Sequence, residues 1–207
     1  MKKYSNYIFD MDGTLLDTAS GILNSLYRAI IKSGCQIERS KITNGLIGYK
    51  IADIVDILGL GTNNVKKAEI VANFRQIYDS CAADGVIWYD YSYRFVSNLK
   101  QNNKSIFIAT NKPSKATNLI VQKMNLDFAK DIYYPDKHSD KVLDKNGMVA
   151  EIIDKYKLNP CDTVVIGDTD VDFNAARVNK CDFGFAKHGY ATNSLVLAKR
   201  ADFVYGD

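Results

Sequence analysis

Carboxylates cluster at two distant places in this chain, and each cluster directly follows an apolar run that reads as a β-strand. The first cluster contains Asp10 and Asp12, and the second contains Asp168 and Asp172. Two carboxylates that leave a strand end on the same side repel each other unless a cation, a shared proton or different environments separate their roles. A hard divalent cation would supply that relief, because it prefers oxygen ligands.

Two ordinary explanations account for only part of this pattern. An acidic turn after a strand would explain the first cluster, and the favourable effect of acids in a first helical turn, about 0.3–1 kcal/mol each, would explain part of the second. Neither explains why both clusters end strands, and ligands of open α/β sheets sit beyond the carboxyl ends of strands. We therefore expect one divalent-metal site, with Asp168 as a direct ligand. Asp172, one helical turn later, is expected to orient the ligands without binding the metal itself.

The elements that must position these acids can be predicted from hydrophobic periodicity. Six short apolar runs recur along the chain, and most lack polar alternation, as expected of strands covered on both faces in a parallel sheet. Strand and helix alternate from about residue 92 onward, which predicts an α/β fold with a doubly wound, mostly parallel sheet and a Rossmann-like core. The runs are Tyr7–Phe9, Ile106–Ala109, Ile132–Tyr134, Val164–Ile166, Phe183–Ala186 and Phe203–Tyr205.

The stretch from about residue 18 to 84 follows a different pattern. Its apolar positions have helical spacing, its strand signals are weak, and several glycines interrupt it. We predict a catalytic core made of residues 1–17 and 85–207, with an all-helical cap domain inserted over residues 18–84. A single domain with one long crossover is the alternative, but structureless connections of that length are rare.

Composition limits the possible partners and the compartment. The net charge of +3 gives no electrostatic case for nucleic acid or membrane as a partner. No apolar run approaches the roughly 20 residues that span a bilayer. Four scattered cysteines without C-x-x-C spacing fit a reducing environment, so we expect a cytoplasmic protein. A chain of this length could work as a monomer or a weak dimer.

Three motifs occur in a fixed order along the chain. A strand followed by D-x-D-G-T spans residues 8–14, a strand ending in Thr-Asn-Lys-Pro spans residues 106–113, and G-D-x-x-x-D spans residues 167–172. In this order, and with an insertion between the first two, they resemble the haloacid dehalogenase-like hydrolase superfamily over essentially the whole chain. Within it, the chain is most similar to the phosphatase branch with a small helical cap, which includes phosphoglycolate phosphatase and beta-phosphoglucomutase.

The resemblance implies roles for the acids. Asp10 would be the nucleophile that forms an aspartyl-phosphate, and Asp12 would act as general acid and base. Mg²⁺ would be held by Asp10, by the backbone carbonyl of Asp12 and by Asp168. The second acid favours phosphate chemistry, because the dehalogenase branch generally lacks it.

The resemblance also implies residues that grip the phosphoryl group. Thr110 would donate its hydroxyl, and the adjacent Asn111 amide would contribute. The third motif of the family is a lysine, and we assign it to Lys145 because of its position at a helix start. Lys141 and Lys137 are the alternatives.

The cap would supply substrate contacts and exclude water when it closes. Within residues 46–50, Gly48 would permit close approach and Lys50 would meet a second anionic group, although an exposed helix connection explains the same residues about as well.

The predicted function is therefore Mg²⁺-dependent hydrolysis of the phosphate monoester of a small metabolite. Phosphoglycolate, a sugar phosphate and a small amino-alcohol phosphate are all compatible substrates. A phosphomutase with the same two acids, or a non-catalytic binding protein, are the alternative functions.

Overall fold

The computed structural model describes residues 3–61 and 63–206. Its strands, numbered along the chain, are β1 (Asn6–Phe9), β2 (Leu16–Asp17), β3 (Ile87–Trp88), β4 (Ser105–Ala109), β5 (Asp131–Tyr133), β6 (Thr163–Gly167), β7 (Asp182–Ala186) and β8 (Phe203–Tyr205). Its α-helices are α1 (Ala19–Lys32), α2 (Ile51–Ile57), α3 (Asn64–Cys81), α4 (Asp90–Gln101), α5 (Ser114–Met124), α6 (Lys145–Tyr156), α7 (Asp170–Val178) and α8 (Ser194–Arg200).

One parallel sheet forms the centre of the core. Within the described ranges it has the strand order β5-β4-β1-β6-β7-β8. Every residue of β1 and β6 is buried, as expected of strands covered on both faces. The predicted α/β class, with its mostly parallel sheet and Rossmann-like core, is confirmed.

The strand order explains where a ligand would bind. The chain moves from β1 to β4 and β5 on one side, and returns to β6, β7 and β8 on the other. This reversal at β1 leaves a crevice beyond the carboxyl ends of the central strands, which is the usual ligand site of open α/β sheets.

Helix α6 shows how local signals fix an element beside this crevice. The Asp144 side chain accepts a hydrogen bond of 2.8 Å from the backbone N–H of Gly147, so it caps the helix N-terminus. Val149 and Ile152 are fully buried in the hydrophobic core cluster. The cap and the buried face together place Lys145 in the first turn, at the end of the helix nearest its capping aspartate.

The described chain divides into two compact units. The first holds the residues up to Asp17 and those from Ile87 onward, and the second is Thr18–Val86. In the second unit, α1 packs against α3 and the described residues form helices without a strand. In the first unit, the antiparallel pair β2–β3 was not predicted, because strands of two residues show no alternation.

None of the helices in the described ranges is both long and apolar enough to span a bilayer.

Candidate active site

Three of the predicted site residues directly follow neighbouring strands. Asp10 follows β1, Thr110 follows β4 and Asp168 follows β6. All three are buried, and the backbone N–H of Asp10 donates to the carbonyl of Ile166 at 2.8 Å. Parallel pairing therefore brings residues from three parts of the chain to one edge of the sheet.

The acidic side chains at this edge lie close together. Carboxylate oxygens of Asp10, Asp168 and Asp172 all lie within 4.8 Å of one another. Burial, with the neighbouring charges of Asp172 and Asp12, raises the pKa of Asp10 to about 7 even though Lys145 opposes the shift. Burial and the charges of Asp10 and Asp172 also raise the pKa of Asp168 well above its ordinary value. The cluster thus holds more negative charge than its surroundings compensate.

Lys145 supplies a cation to this cluster from the first turn of α6. Its side chain is buried, and Nζ lies 2.6 Å from Oδ1 of Asp10, 3.0 Å from Oδ1 of Asp172 and 2.8 Å from the carbonyl oxygen of Ala109. Burial alone would lower the pKa of Lys145, but the two carboxylates raise it above its ordinary value. The ammonium is therefore charged, and it joins the residue after β1, the end of β4 and the first turn of α7.

The other two lysines considered for this position have different partners. Lys137 donates to Oδ1 of Asp131 at 2.7 Å, and Lys141 forms an ion pair with Glu151. The structure brings Lys145, and neither alternative, to Asp10.

Asp172 is held by the loop that precedes α7. Its Oδ2 accepts hydrogen bonds from the Thr169 hydroxyl at 2.7 Å and from the Thr169 backbone N–H at 3.1 Å. A Cβ added at Gly167 would lie 2.2 Å from Cγ of Asp172, so only glycine allows this approach. Asp172 therefore has a fixed position from which it orients Lys145.

The donor set fits a hard divalent cation. Oδ1 of Asp168 is buried and has no hydrogen-bond partner in the part of the chain that the structure describes. Its Oδ2 accepts a hydrogen bond of 2.7 Å from the Tyr190 backbone N–H. A Cβ added at Gly13 would lie 2.4 Å from that same Oδ2, and one added at Gly189 would lie 2.2 Å from the Asp168 Cβ. The two glycines thus allow the backbone to pack closely around the Asp168 carboxylate. Its Oδ1 remains available to a ligand, and a carboxylate oxygen is the kind of ligand that Mg²⁺ prefers.

The motif analysis missed two residues at this site. Lys112 is buried, and its Nζ lies 3.2 Å from Oδ1 of Asp12. Tyr190 contacts Asp168 through its backbone, and its hydroxyl donates to Oδ1 of Asp17 at 2.8 Å. Lys112 follows the threonine of the second motif, but a loop lysine carries no sequence signal for burial.

The remaining predicted residues lie on the loop after β4 and in the second compact unit. Thr110 accepts a hydrogen bond on its hydroxyl oxygen from the backbone N–H of Lys112 at 3.2 Å, which leaves the hydroxyl proton to donate elsewhere. Asn111 is exposed on the same loop. Gly48 and Lys50 are exposed residues of the second compact unit, and their substrate contacts stay predictions.

Comparisons with known proteins agree with the fold and the motif order. The family model described as haloacid dehalogenase-like hydrolase matches residues 7–186. A phosphoglycolate phosphatase of Vibrio vulnificus is 26% identical over 213 residues, which cover 95% of this chain and 89% of the relative. The tyrosine-protein kinase PtkA of Mycobacterium tuberculosis is 21% identical over 197 residues, which cover 95% of this chain. The chain spans only 64% of the length of PtkA.

The fold also matches solved structures. A haloacid dehalogenase-like family hydrolase from Streptococcus pneumoniae superposes with a TM-score of 0.87 at 19% identity, covering 100% of this chain and 96% of the other. A likeness at this identity concerns the fold alone.

Proposed function

The chain belongs to the haloacid dehalogenase-like hydrolase family, as the motifs predicted, and from this premise we propose that it is a Mg²⁺-dependent phosphatase of a small phosphorylated metabolite. One observation carries the proposal: the buried ammonium of Lys145 lies 2.6 Å from Asp10, beside the carboxylates of Asp168 and Asp172. A cation and a metal-binding set around one carboxylate are what in-line phosphoryl transfer to that carboxylate requires.

The proposed reaction has two steps that share the same two acids. A carboxylate oxygen of Asp10 attacks phosphorus, and the ester O–P bond breaks while Asp12 gives its proton to the leaving oxygen. The alcohol departs and the phosphoryl group remains on Asp10. Asp12, now ionised, takes a proton from water as the water oxygen attacks phosphorus. The bond between Asp10 and phosphorus breaks, inorganic phosphate leaves, and both acids return to their starting forms.

Residues of the chain hold the phosphoryl group during both steps. The Lys145 ammonium, which already contacts Asp10, would neutralise charge on the phosphoryl oxygens. The Thr110 hydroxyl, whose oxygen accepts from Lys112, would donate its proton to one of those oxygens. Asn111, exposed on the same loop, would contribute its side-chain amide.

The metal would be Mg²⁺, held by Asp10, Asp168 and the backbone carbonyl of Asp12. When bound, it would shield the anionic nucleophile from the anionic ester. Oδ1 of Asp168, which has no hydrogen-bond partner among the described residues, supports this assignment, because a buried carboxylate oxygen without a donor is costly unless a cation meets it.

The name of the Vibrio relative makes phosphoglycolate the first substrate to test. A sugar phosphate and a small amino-alcohol phosphate remain candidates, since the helical unit would set specificity through residues such as Gly48 and Lys50. A phosphate monoester group with about two negative charges at neutral pH, and a small alcohol part, are common to all three.

The test is phosphate release from a panel of these esters, with Mg²⁺ or with a chelator. We expect release only with Mg²⁺, and we expect Asp10→Asn to fold normally but to lose activity by about a thousandfold or more, because the nucleophile is gone. Asp127→Asn, a change at an exposed aspartate, is the matched control and should keep wild-type activity.

Other outcomes would replace the proposal. Full activity of Asp10→Asn would exclude the covalent route. Transfer to a sugar phosphate without release of phosphate would indicate a phosphomutase, and binding without turnover would indicate a binding protein.

A further inference from the structure

We propose that Lys112 is a positioning residue for Asp12, and that it governs turnover of esters whose leaving oxygen must receive a proton. This inference rests on the proposed function, because it concerns the acid of that reaction. It is carried by the placement of one buried ammonium between two loops of the site.

The first observation is the burial of the charge. Lys112 is only 5% exposed, and its Nζ lies 3.2 Å from Oδ1 of Asp12. A buried ammonium is costly unless it is paired with a carboxylate at close range. Movement of the Asp12 carboxylate would take this neighbour away from the buried ammonium. The pair therefore restrains the positions of both side chains.

The second observation is that the backbone of Lys112 is itself fixed. Its N–H donates to the Thr110 hydroxyl oxygen at 3.2 Å, and its carbonyl accepts from the fully buried Thr117 hydroxyl at 2.9 Å. Pro113 follows directly, and a residue before proline is restricted to extended backbone. The ammonium is thus attached to a rigid support built from the end of β4 and the first turn of α5.

These contacts join the acid to the phosphoryl-binding residues. Asp12 lies on the loop after β1, and Lys112 lies on the loop after β4, two residues from Thr110. A general acid must lie within hydrogen-bond reach of the oxygen that it protonates. A displacement of about 1 Å can cost about 100-fold in rate. The ion pair therefore fixes Asp12 relative to the Thr110 side of the site.

The alternative is an ion pair that only stabilises the two loops. The two cases differ in how the loss of Lys112 depends on the leaving group. In the first step, a misplaced acid slows esters that leave as an alkoxide, but it has little effect on p-nitrophenyl phosphate, whose stabilised phenolate leaves without a proton. The second step, in which Asp12 takes a proton from water, is common to both substrates, so the comparison is made on alcohol release in a single turnover. A general loss of structure slows both.

The experiment compares Lys112→Met with wild type on two substrates: the alkyl phosphate that wild type hydrolyses fastest, and p-nitrophenyl phosphate. We expect the single-turnover rate of alcohol release to fall roughly 10- to 100-fold for the alkyl phosphate and to change less than about threefold for p-nitrophenyl phosphate. Asp12→Asn should give the same selective pattern with a larger loss. Lys115→Met, three residues along and exposed, is the matched control and should leave both rates unchanged.

Lys112→Arg covers the case in which the methionine variant does not fold. It keeps a cation, so it should fold, but its charge lies at a different distance and should reduce the alkyl phosphate rate more than the p-nitrophenyl phosphate rate. Equal losses on both substrates, or an unchanged alkyl phosphate rate in Lys112→Met, would overturn the inference while leaving the phosphatase proposal intact. A wild-type protein inactive on both esters with Mg²⁺ would overturn the two together.

Discussion

The side chain of Lys145 joins three elements of the core through a single buried ammonium. It contacts the carboxylates of Asp10 and Asp172, which are brought together from distant parts of the chain. Without a cation these buried acids would repel each other, as the raised pKa values of Asp10 and Asp168 indicate. Lys145 therefore contributes to folding as well as to the proposed chemistry.

Replacement of Lys145 should affect stability and activity in a way that replacement of the other candidate lysines does not. In chelator, Lys145→Met should lower the free energy of unfolding by about 3 kcal/mol, because it leaves buried carboxylates without their cation. It should also reduce phosphatase activity at least about 100-fold. Urea denaturation and phosphate release measure the two effects.

Lys141→Met is the control, since its ion pair with Glu151 lies at the surface. It should change neither quantity appreciably. Equal behaviour of the two variants would contradict the assignment of Lys145.

At the scale of elements, the loop that follows β7 contacts the acidic cluster through Asp168. The backbone N–H of Tyr190 donates to Asp168, and Gly189 lies so close that an added Cβ would be 2.2 Å from the Asp168 Cβ. The Tyr190 hydroxyl donates to Asp17 at the end of β2. This loop thus fixes the orientation of Asp168.

Gly189→Ala tests this positioning. The methyl group must displace either the loop or Asp168. We therefore expect a loss of activity of about tenfold or more, and a higher Mg²⁺ concentration for half-maximal activity. The measurement is phosphate release as a function of Mg²⁺ concentration.

Gly34→Ala provides a control that is strained but remote in sequence from the site. Gly34 has φ of +74°, and no atom of the described residues lies within 4 Å of an added Cβ. Alanine should therefore lower the free energy of unfolding by about 1 kcal/mol and leave activity unchanged. Wild-type activity in Gly189→Ala would show that the loop can move without affecting Asp168.

At the scale of the whole molecule, the acidic cluster would link the proposed catalysis to stability. The acids of the cluster meet only in the folded chain, so a cation that binds them stabilises the fold by mass action. The raised pKa of Asp168 indicates that its charge is unfavourable when no cation is present.

We therefore expect Mg²⁺ at about 100 times its dissociation constant to stabilise the protein by about 2.7 kcal/mol. Asp168→Asn should lose this effect, and in chelator it should be at least as stable as wild type, because it removes a buried charge. Calorimetric unfolding with Mg²⁺ or chelator measures both, with Asp127→Asn as control. A full Mg²⁺ effect in Asp168→Asn would remove Asp168 from the ligand set.

Much of the fold could be predicted from the sequence because its signals are local. All six predicted runs form strands of the central sheet, since strands buried on both faces are continuously apolar. The α6 stripe of Val149 and Ile152 is buried as its spacing predicts. The family was also identifiable, because its motifs lie at strand ends in a fixed order. The functional roles of the site residues and of the helical unit stay predictions.

The tertiary structure alone decided which side chains meet. Lys137, Lys141 and Lys145 lie within nine residues of one another, and only the capped start of α6 directs one of them to Asp10. The ion pair of Lys112 with Asp12 and the contact of Tyr190 with Asp168 each join residues on different loops. Local sequence specifies an element, but such contacts depend on strand order and on the space left by glycines, which exist only once the sheet has formed.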